Sequence, residues 1–175
     1  MAATPVHLGF LSVFQEGAGW LGAYFVTNAW GRPIDFRLSS AVQPNKIQSI
    51  LYAGTLLPYL CGELIGKALV DKASVPVLLV VTTCEHALDL RRKLDIPVVH
   101  LGPAEESRAA SPLVIALKNG RGFLTCHAGF PGDVAAVTAL LADLEGHLDF
   151  TEPFNRIRDG VSEARKMGVG NRQAA

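Results

Sequence analysis

Val75-Pro76-Val77-Leu78-Leu79-Val80-Val81-Thr82-Thr83-Cys84-Glu85-His86 is a near-continuous apolar run that turns polar within three positions. Such a run reads as a strand buried on both faces, with Pro76 confined to its first positions. Thr82 and Glu85 have the spacing of a capping box, a hydroxyl followed three residues later by a carboxylate. A helix is therefore expected from there to about Leu94, and residues 97–101 supply the next strand. A strand–helix–strand unit of this kind makes its two strands parallel, with a right-handed crossover. The chain is read on this basis as an α/β (α+β) protein with a mixed sheet.

Upstream, residues 8–14 and 20–27 are aromatic and β-branched enough for strands, separated by the turn Gln15-Glu16-Gly17-Ala18-Gly19. Residues 20–27 are apolar on both faces and belong inside the sheet. Residues 34–39 alternate, with Ile34, Phe36 and Leu38 opposite Asp35, Arg37 and Ser39, so one face of that strand is expected to be wet. This part is read as antiparallel. Pro44 then opens a helical region carrying Ile47, Ile50 and Leu51, and Thr55 is expected to cap a second helix over residues 56–70. The apolar stretch 47–70 contains Pro58, Glu63 and Lys67 and lacks a basic flank, so a buried core helix is expected rather than a membrane span. Gly62 and Gly66 within it fit either close approach to a neighbouring helix or simple tolerance.

Downstream, residues 102–111 form a polar loop that is expected to be mobile. Residues 113–117 and 123–126 flank an Asn-Gly turn and form a β-hairpin. Pro131 starts a helix with Val134, Val137, Leu141, Leu144 and Leu148 at helical spacing. Thr151 is expected to cap a last helix with Phe154, Ile157, Val161 and Ala164. The domain reading is one α/β domain over residues 1–167 and a disordered tail over residues 168–175.

The chain has 175 residues, enough to bury a core without disulfides or metal. It is 49% hydrophobic and only 18% charged, against about 25% charged in average soluble domains. Apolar excess of this kind implies a homo-oligomer or a protein partner. Sixteen basic residues balance sixteen acidic ones, so no nucleic acid partner is expected. The local groups Arg91-Arg92-Lys93 and Arg156, Arg158, Arg165 and Lys166 are read as solvated helix faces. The N-terminal residues lack a basic n-region. With three cysteines and no export signal, the expectation is free thiols in a cytoplasmic protein, with no membrane partner.

Two cysteine–histidine pairs stand where a strand gives way to polar residues: Cys84 with His86, and Cys126 with His127. Strand ends are where open α/β proteins collect ligands. All four together resemble a zinc ligand set only in composition. Residues 84 and 86 point about 200° apart in a helical turn, and residues 126 and 127 point to opposite faces of a strand. No metal and no cofactor are therefore expected. A thiol nucleophile is less demanding, because the start of a helix favours a thiolate at Cys84 and His127 or His86 could act as base. That arrangement needs the strands ending at Val81 and Cys126 to run the same way; otherwise their ends lie a strand length apart, roughly 15–25 Å. Cys61 is read as core.

Other signals are weaker. Gly62-Glu63-Leu64-Ile65-Gly66-Lys67 is one residue short of a P-loop and lacks its Ser or Thr. Asp133 is expected to cap its own helix rather than leave that terminus to an anion. Glu63, Glu85, Glu105 and Glu106 show no pairing that suggests acid–base work, and Asp89 with Lys93 reads as a surface i,i+4 pair. Trp20, Tyr24, Trp30 and Phe36 concentrate aromatic surface in one hairpin, and Trp30 beside Arg32 is the candidate interface anchor. The function expected is a non-catalytic protein-interaction or assembly module. The alternatives are a cysteine-dependent enzyme, acyl-transfer or redox, using Cys84 or Cys126 with a neighbouring His86 or His127, and a small-ligand sensor using the strand ends as a pocket.

Overall fold

The computed structural model describes residues 4–104 and 111–168. Glu105, Glu106, most of the loop expected to be mobile and the tail from residue 169 lie outside the described residues. Strands β1 (His7–Glu16), β2 (Gly19–Asn28), β3 (Pro33–Leu38), β4 (Leu79–Thr82), β5 (Val98–Gly102), β6 (Val114–Ala116) and β7 (Phe123–Cys126) form one mixed sheet. Their spatial order is β3-β2-β1-β4-β5-β7-β6. The centre, β1-β4-β5, is parallel, with Leu8 opposite Leu79 and Val80 opposite Val98. Antiparallel strands flank it on both sides. The expected β4–β5 unit, the N-terminal antiparallel part and the β6–β7 hairpin are all present, and the α/β class holds.

Alternation along the strands separates two cores. Leu8, Phe10, Val81, Val99 and Cys126 face one side and meet α4 (Asp133–Leu144) and α5 (Glu152–Lys166) through Val137, Leu141, Leu144, Ile157 and Val161. Both C-terminal helices thus pack on the sheet. Thr151 is the N-cap residue of α5, but its hydroxyl donates to Asp149 instead of capping the helix. Leu11, Tyr24, Val80 and Val98 face the other side and meet a helical layer built from residues before and after β4.

That second layer departs from the regular helices expected. It begins with α1 (Lys46–Tyr52), where Asn45 and Gln48 cap each other's backbone N–H in a reciprocal box. Ala53 breaks the helix at φ +46° and ψ −121°. The chain then re-forms as α2 (Leu56–Pro58), widens into a π-helix over Tyr59–Lys67, and ends in α3 (Ala68–Asp71). Thr55 does not cap this run; its hydroxyl donates back to the Tyr52 carbonyl. The glycines explain the wide turn. A Cβ on Gly66 would stand 2.9 Å from the Cys61 carbonyl oxygen, and one on Gly62 would stand 2.9 Å from the Leu90 nitrogen. Both therefore serve close approach. Leu60, Cys61, Ile65 and Leu69 are buried, but α1 and α2 bury nothing. The 26-residue helical run Lys46–Asp71 is long and apolar enough to cross a membrane; its second half is seated on the sheet, and its first half is not a core helix.

After β4 the expected α-helix is a 3₁₀ helix, Glu85–Lys93. The capping box does not form; Cys84 is the N-cap residue, and its N–H donates to Thr82 Oγ1 at 3.1 Å. With three residues per turn, i and i+3 eclipse while i and i+4 diverge. Asp89 accordingly pairs with Arg92 at 3.2 Å, and Lys93 turns to Glu63 at 3.5 Å. The i,i+4 pair read from the sequence does not form. β3 also differs from expectation. Ile34 and Phe36 remain about two-fifths exposed, while Asp35 accepts hydrogen bonds from Arg37 and the Ser74 N–H. An edge position lets the polar face find partners and leaves the apolar face partly wet.

Candidate functional site

The relative direction of β4 and β7 decides the cysteine–histidine question. β4 is parallel to β5 and β5 is antiparallel to β7, so the strands ending near Val81 and at Cys126 run oppositely. Cys126 lies opposite Val99, itself opposite Val81, and the chain leaves β7 away from Cys84. Neither Cys84 with His127 nor Cys126 with His86 forms a pair.

Each residue has another role. Cys126 is buried beneath α4, and burial, aided by the charge of Asp133, pushes its thiol up to about 11. It is a small core hydrophobe. His127 faces the opposite side, as strand alternation requires. Its Nδ1 accepts from the Gly129 N–H at 2.9 Å, and its Nε2 lies 3.7 Å from Asp89. Arg92 Nε stands 3.5 Å from the same nitrogen, and Phe130 meets the ring edge-on at 5.4 Å. His127 therefore ties the hairpin to the 3₁₀ helix. His86 is exposed on that helix.

Cys84 is half-buried and packs against the core cluster that contains Cys61. Of the groups around it, the Cys61 thiol acts on the Cys84 thiol most strongly. This interaction pulls the Cys84 thiol down to about 7. Burial opposes the shift, the backbone N–H groups of Ala87 and His86 favour it, and the Glu85 carboxylate opposes it weakly. The Cys61 thiol is driven far above its ordinary range by the same interaction and by burial. Sequence reading placed Cys61 in the core, and it is buried there. The π-helix and the 3₁₀ helix meet where Gly62 approaches the backbone of Asp89 and Leu90.

Around the far end of the 3₁₀ helix, Arg91 joins the two helical layers. Its Nε and Nη2 hold both Asp133 oxygens at 2.7 and 3.2 Å, Nη1 donates to the Leu94 carbonyl at 2.7 Å, and the guanidinium lies 3.9 Å from the Phe130 ring centroid. Asp133 is buried and committed to Arg91, so it does not cap its own helix; Gly132 is the N-cap residue of α4. Within the basic groups, Arg156 binds Glu152 and the Gly31 carbonyl, Arg165 binds Glu16, and Lys166 binds Glu163.

At the carboxyl ends of β4 and β5 a cavity of about 540 Å³ is lined by Thr83, His100, Gly102, Arg121, Thr151 and Phe154 among others. Arg121 is held by Asp149, which also accepts from the N–H and hydroxyl of Thr151 at 2.9 and 2.5 Å. Burial works against the Asp149 charge, but these hydrogen bonds keep its carboxyl below the usual range. Among the described residues no group of three or more His, Cys, Asp or Glu is arranged to hold a metal ion.

The candidate interface residues lie on the β2–β3 turn. Asn28 Oδ1 accepts from the Trp30 and Arg32 N–H groups, which fixes the turn. Trp30 is 73% exposed and stacks on His147 with centroids 6.4 Å apart, and Arg32 is exposed. The largest apolar exposure lies elsewhere, on α1: Ile47, Ile50 and Leu51 are 68%, 66% and 77% exposed. The sequence showed this stripe and assigned it to the core.

The fold and these sites define an α/β protein with helices on both faces of a mixed sheet. No family model, curated protein or solved structure matches the chain.

Proposed function

We propose that the chain is a non-catalytic assembly module that associates with a second copy of itself through the outward face of α1. The observation that carries this reading is a capped helix that buries nothing while presenting Ile47, Ile50 and Leu51 to water. A seven-residue helix gains too little from its own hydrogen bonds to persist alone. Burying each such aliphatic side chain stabilises by roughly 1.5–3 kcal/mol, and a two-fold contact counts every one of them twice. A second copy is favoured over a charged partner because the chain has zero net charge and α1 has no acidic residue in its first turn. Self-repulsion is then weak.

Light scattering across a concentration series tests this. The expected result is a mass above the 18.7 kDa monomer, reduced to the monomer by the double variant Ile50→Asp, Leu51→Asp with an unchanged melting transition. A wild-type monomer at all concentrations overturns the reading, as does co-sedimentation of that monomer with neutral phosphatidylcholine vesicles, which would make the stripe a lipid-binding face. Dissociation by Trp30→Ala but not by the α1 variant would move the interface to the Trp30–Arg32 turn.

A further inference from the structure

We infer that the cavity at the carboxyl ends of β4 and β5 binds a small organic monocarboxylate, with Arg121 holding the carboxylate and Phe154 lying against the apolar body. Four distant parts of the chain meet there: Thr83 just beyond β4, Gly102 at the end of β5, Arg121 in the β6–β7 turn, and Thr151 with Phe154 at the start of α5. Crevices outside the carboxyl ends of parallel strands are where open α/β sheets take ligands. The volume of about 540 Å³ is that of a small-molecule pocket.

The walls are held in place by the protein itself. A Cβ on Gly122 would stand 2.5 Å from the Gly102 carbonyl oxygen, so a glycine is needed to seat the turn against the end of β5. The Arg121 N–H donates to Asn119 Oδ1 at 3.0 Å, and its Nη1 donates to Asp149. Asp149 also accepts from the Thr151 N–H and hydroxyl, so one carboxylate positions both groups. The Phe154 ring is braced edge-on by Phe10, with centroids 5.7 Å apart.

The chemistry of the occupant follows from what these bonds leave over. Asp149 engages Arg121 through Nη1, and among the described residues Nε and Nη2 have no partner. Two parallel N–H donors on one edge of a guanidinium match the two oxygens of a carboxylate. The exposed hydroxyl of Thr83 can add a third donor at the rim. Phosphate, the other common guanidinium ligand, fits less well. Arg121 is already balanced by Asp149, so a phosphate dianion meets twice the repulsion that a monocarboxylate does.

The test is a titration of the isotope-labelled full chain, followed by amide NMR shifts, with phenylacetate, its neutral analogue phenylacetamide, and inorganic phosphate. Phenylacetate should give saturable shifts at the amides of Thr83, Gly102, Arg121, Thr151 and Phe154. Phenylacetamide and phosphate should each bind about tenfold more weakly or worse, the loss expected for one charge-assisted pair. Arg121→Lys keeps the charge but loses the paired donors, and should weaken phenylacetate by about tenfold. Absence of saturable shifts, equal binding of acid and amide, tighter binding of phosphate, or shifts confined to residues outside the cavity would each overturn the inference. The wild-type comparison of acid with amide stands even where the variant fails to fold.

Discussion

The two helical layers of this protein cover the same sheet in different ways. On one face α4 and α5 are regular α-helices whose apolar residues recur at three and four and end up buried. On the other face the chain uses an unburied α-helix, a π-helix and a 3₁₀ helix, the last two held close by a glycine. Regular helices maximise apolar burial per residue. The irregular layer gives up part of that burial and gains close backbone approach and an exposed apolar stripe. The contrast separates the face that holds the fold from the face that can interact and react.

The largest effect should come from uncoupling the layers. Arg91→Ala leaves Asp133 buried and unpaired, and such losses cost about 3–5 kcal/mol; chemical denaturation should show a midpoint shift of that size. Truncation then sharpens the contrast within each layer. Leu141→Ala, in the regular layer, should cost about 2–5 kcal/mol. Leu51→Ala, on α1, should stay within about 0.5 kcal/mol in the same denaturation series at monomeric dilution. Equal costs at the two sites would erase the distinction.

Gly62→Ala should destabilise by about 1–3 kcal/mol through overpacking against Leu90. The pH dependence of Cys84 is the smallest effect in energy. A thiol near 7 becomes thiolate as pH rises through that value, so its alkylation rate should rise about tenfold between pH 6 and 8. Cys126, near 11, should stay unreactive over this range. The groups that set the Cys84 profile are Cys61, Glu85 and the His86 and Ala87 N–H groups; a flat profile would mean that the Cys61 thiol does not act on Cys84.

Much of the regular half was legible in the sequence. Apolar patterning located the seven described strands to within a few residues, the parallel β4–β5 unit and both C-terminal helices: continuous apolar runs mark strands buried on both faces, and a strict repeat marks helices buried on one. The irregular half was not. Nothing local distinguishes Tyr59–Lys67 as π rather than α, since the choice rests on a Gly66–Cys61 backbone fit within the helix and a Gly62–Leu90 fit across it. Cys84 was singled out for its place at a strand end, and the histidines examined as its partners lie elsewhere because β4 and β7 run oppositely. The Ile47-Ile50-Leu51 stripe was visible, but an apolar stripe says only that something covers it, and burial by the sheet was assumed. Strand direction could not be read for β7, because a hairpin can attach to β5 through either strand.

Ala53 carries a consequence of its own. Its φ of +46° with ψ of −121° is a conformation that side-chain-bearing residues avoid, and the three residues Ala53, Gly54 and Thr55 are all exposed. The direction in which α1 leaves the molecule is thus set at a single hinge that no core contact supports. Selection could re-aim, shorten or replace that helix one residue at a time without disturbing the sheet. On the proposed reading, the assembly contact can therefore evolve separately from stability.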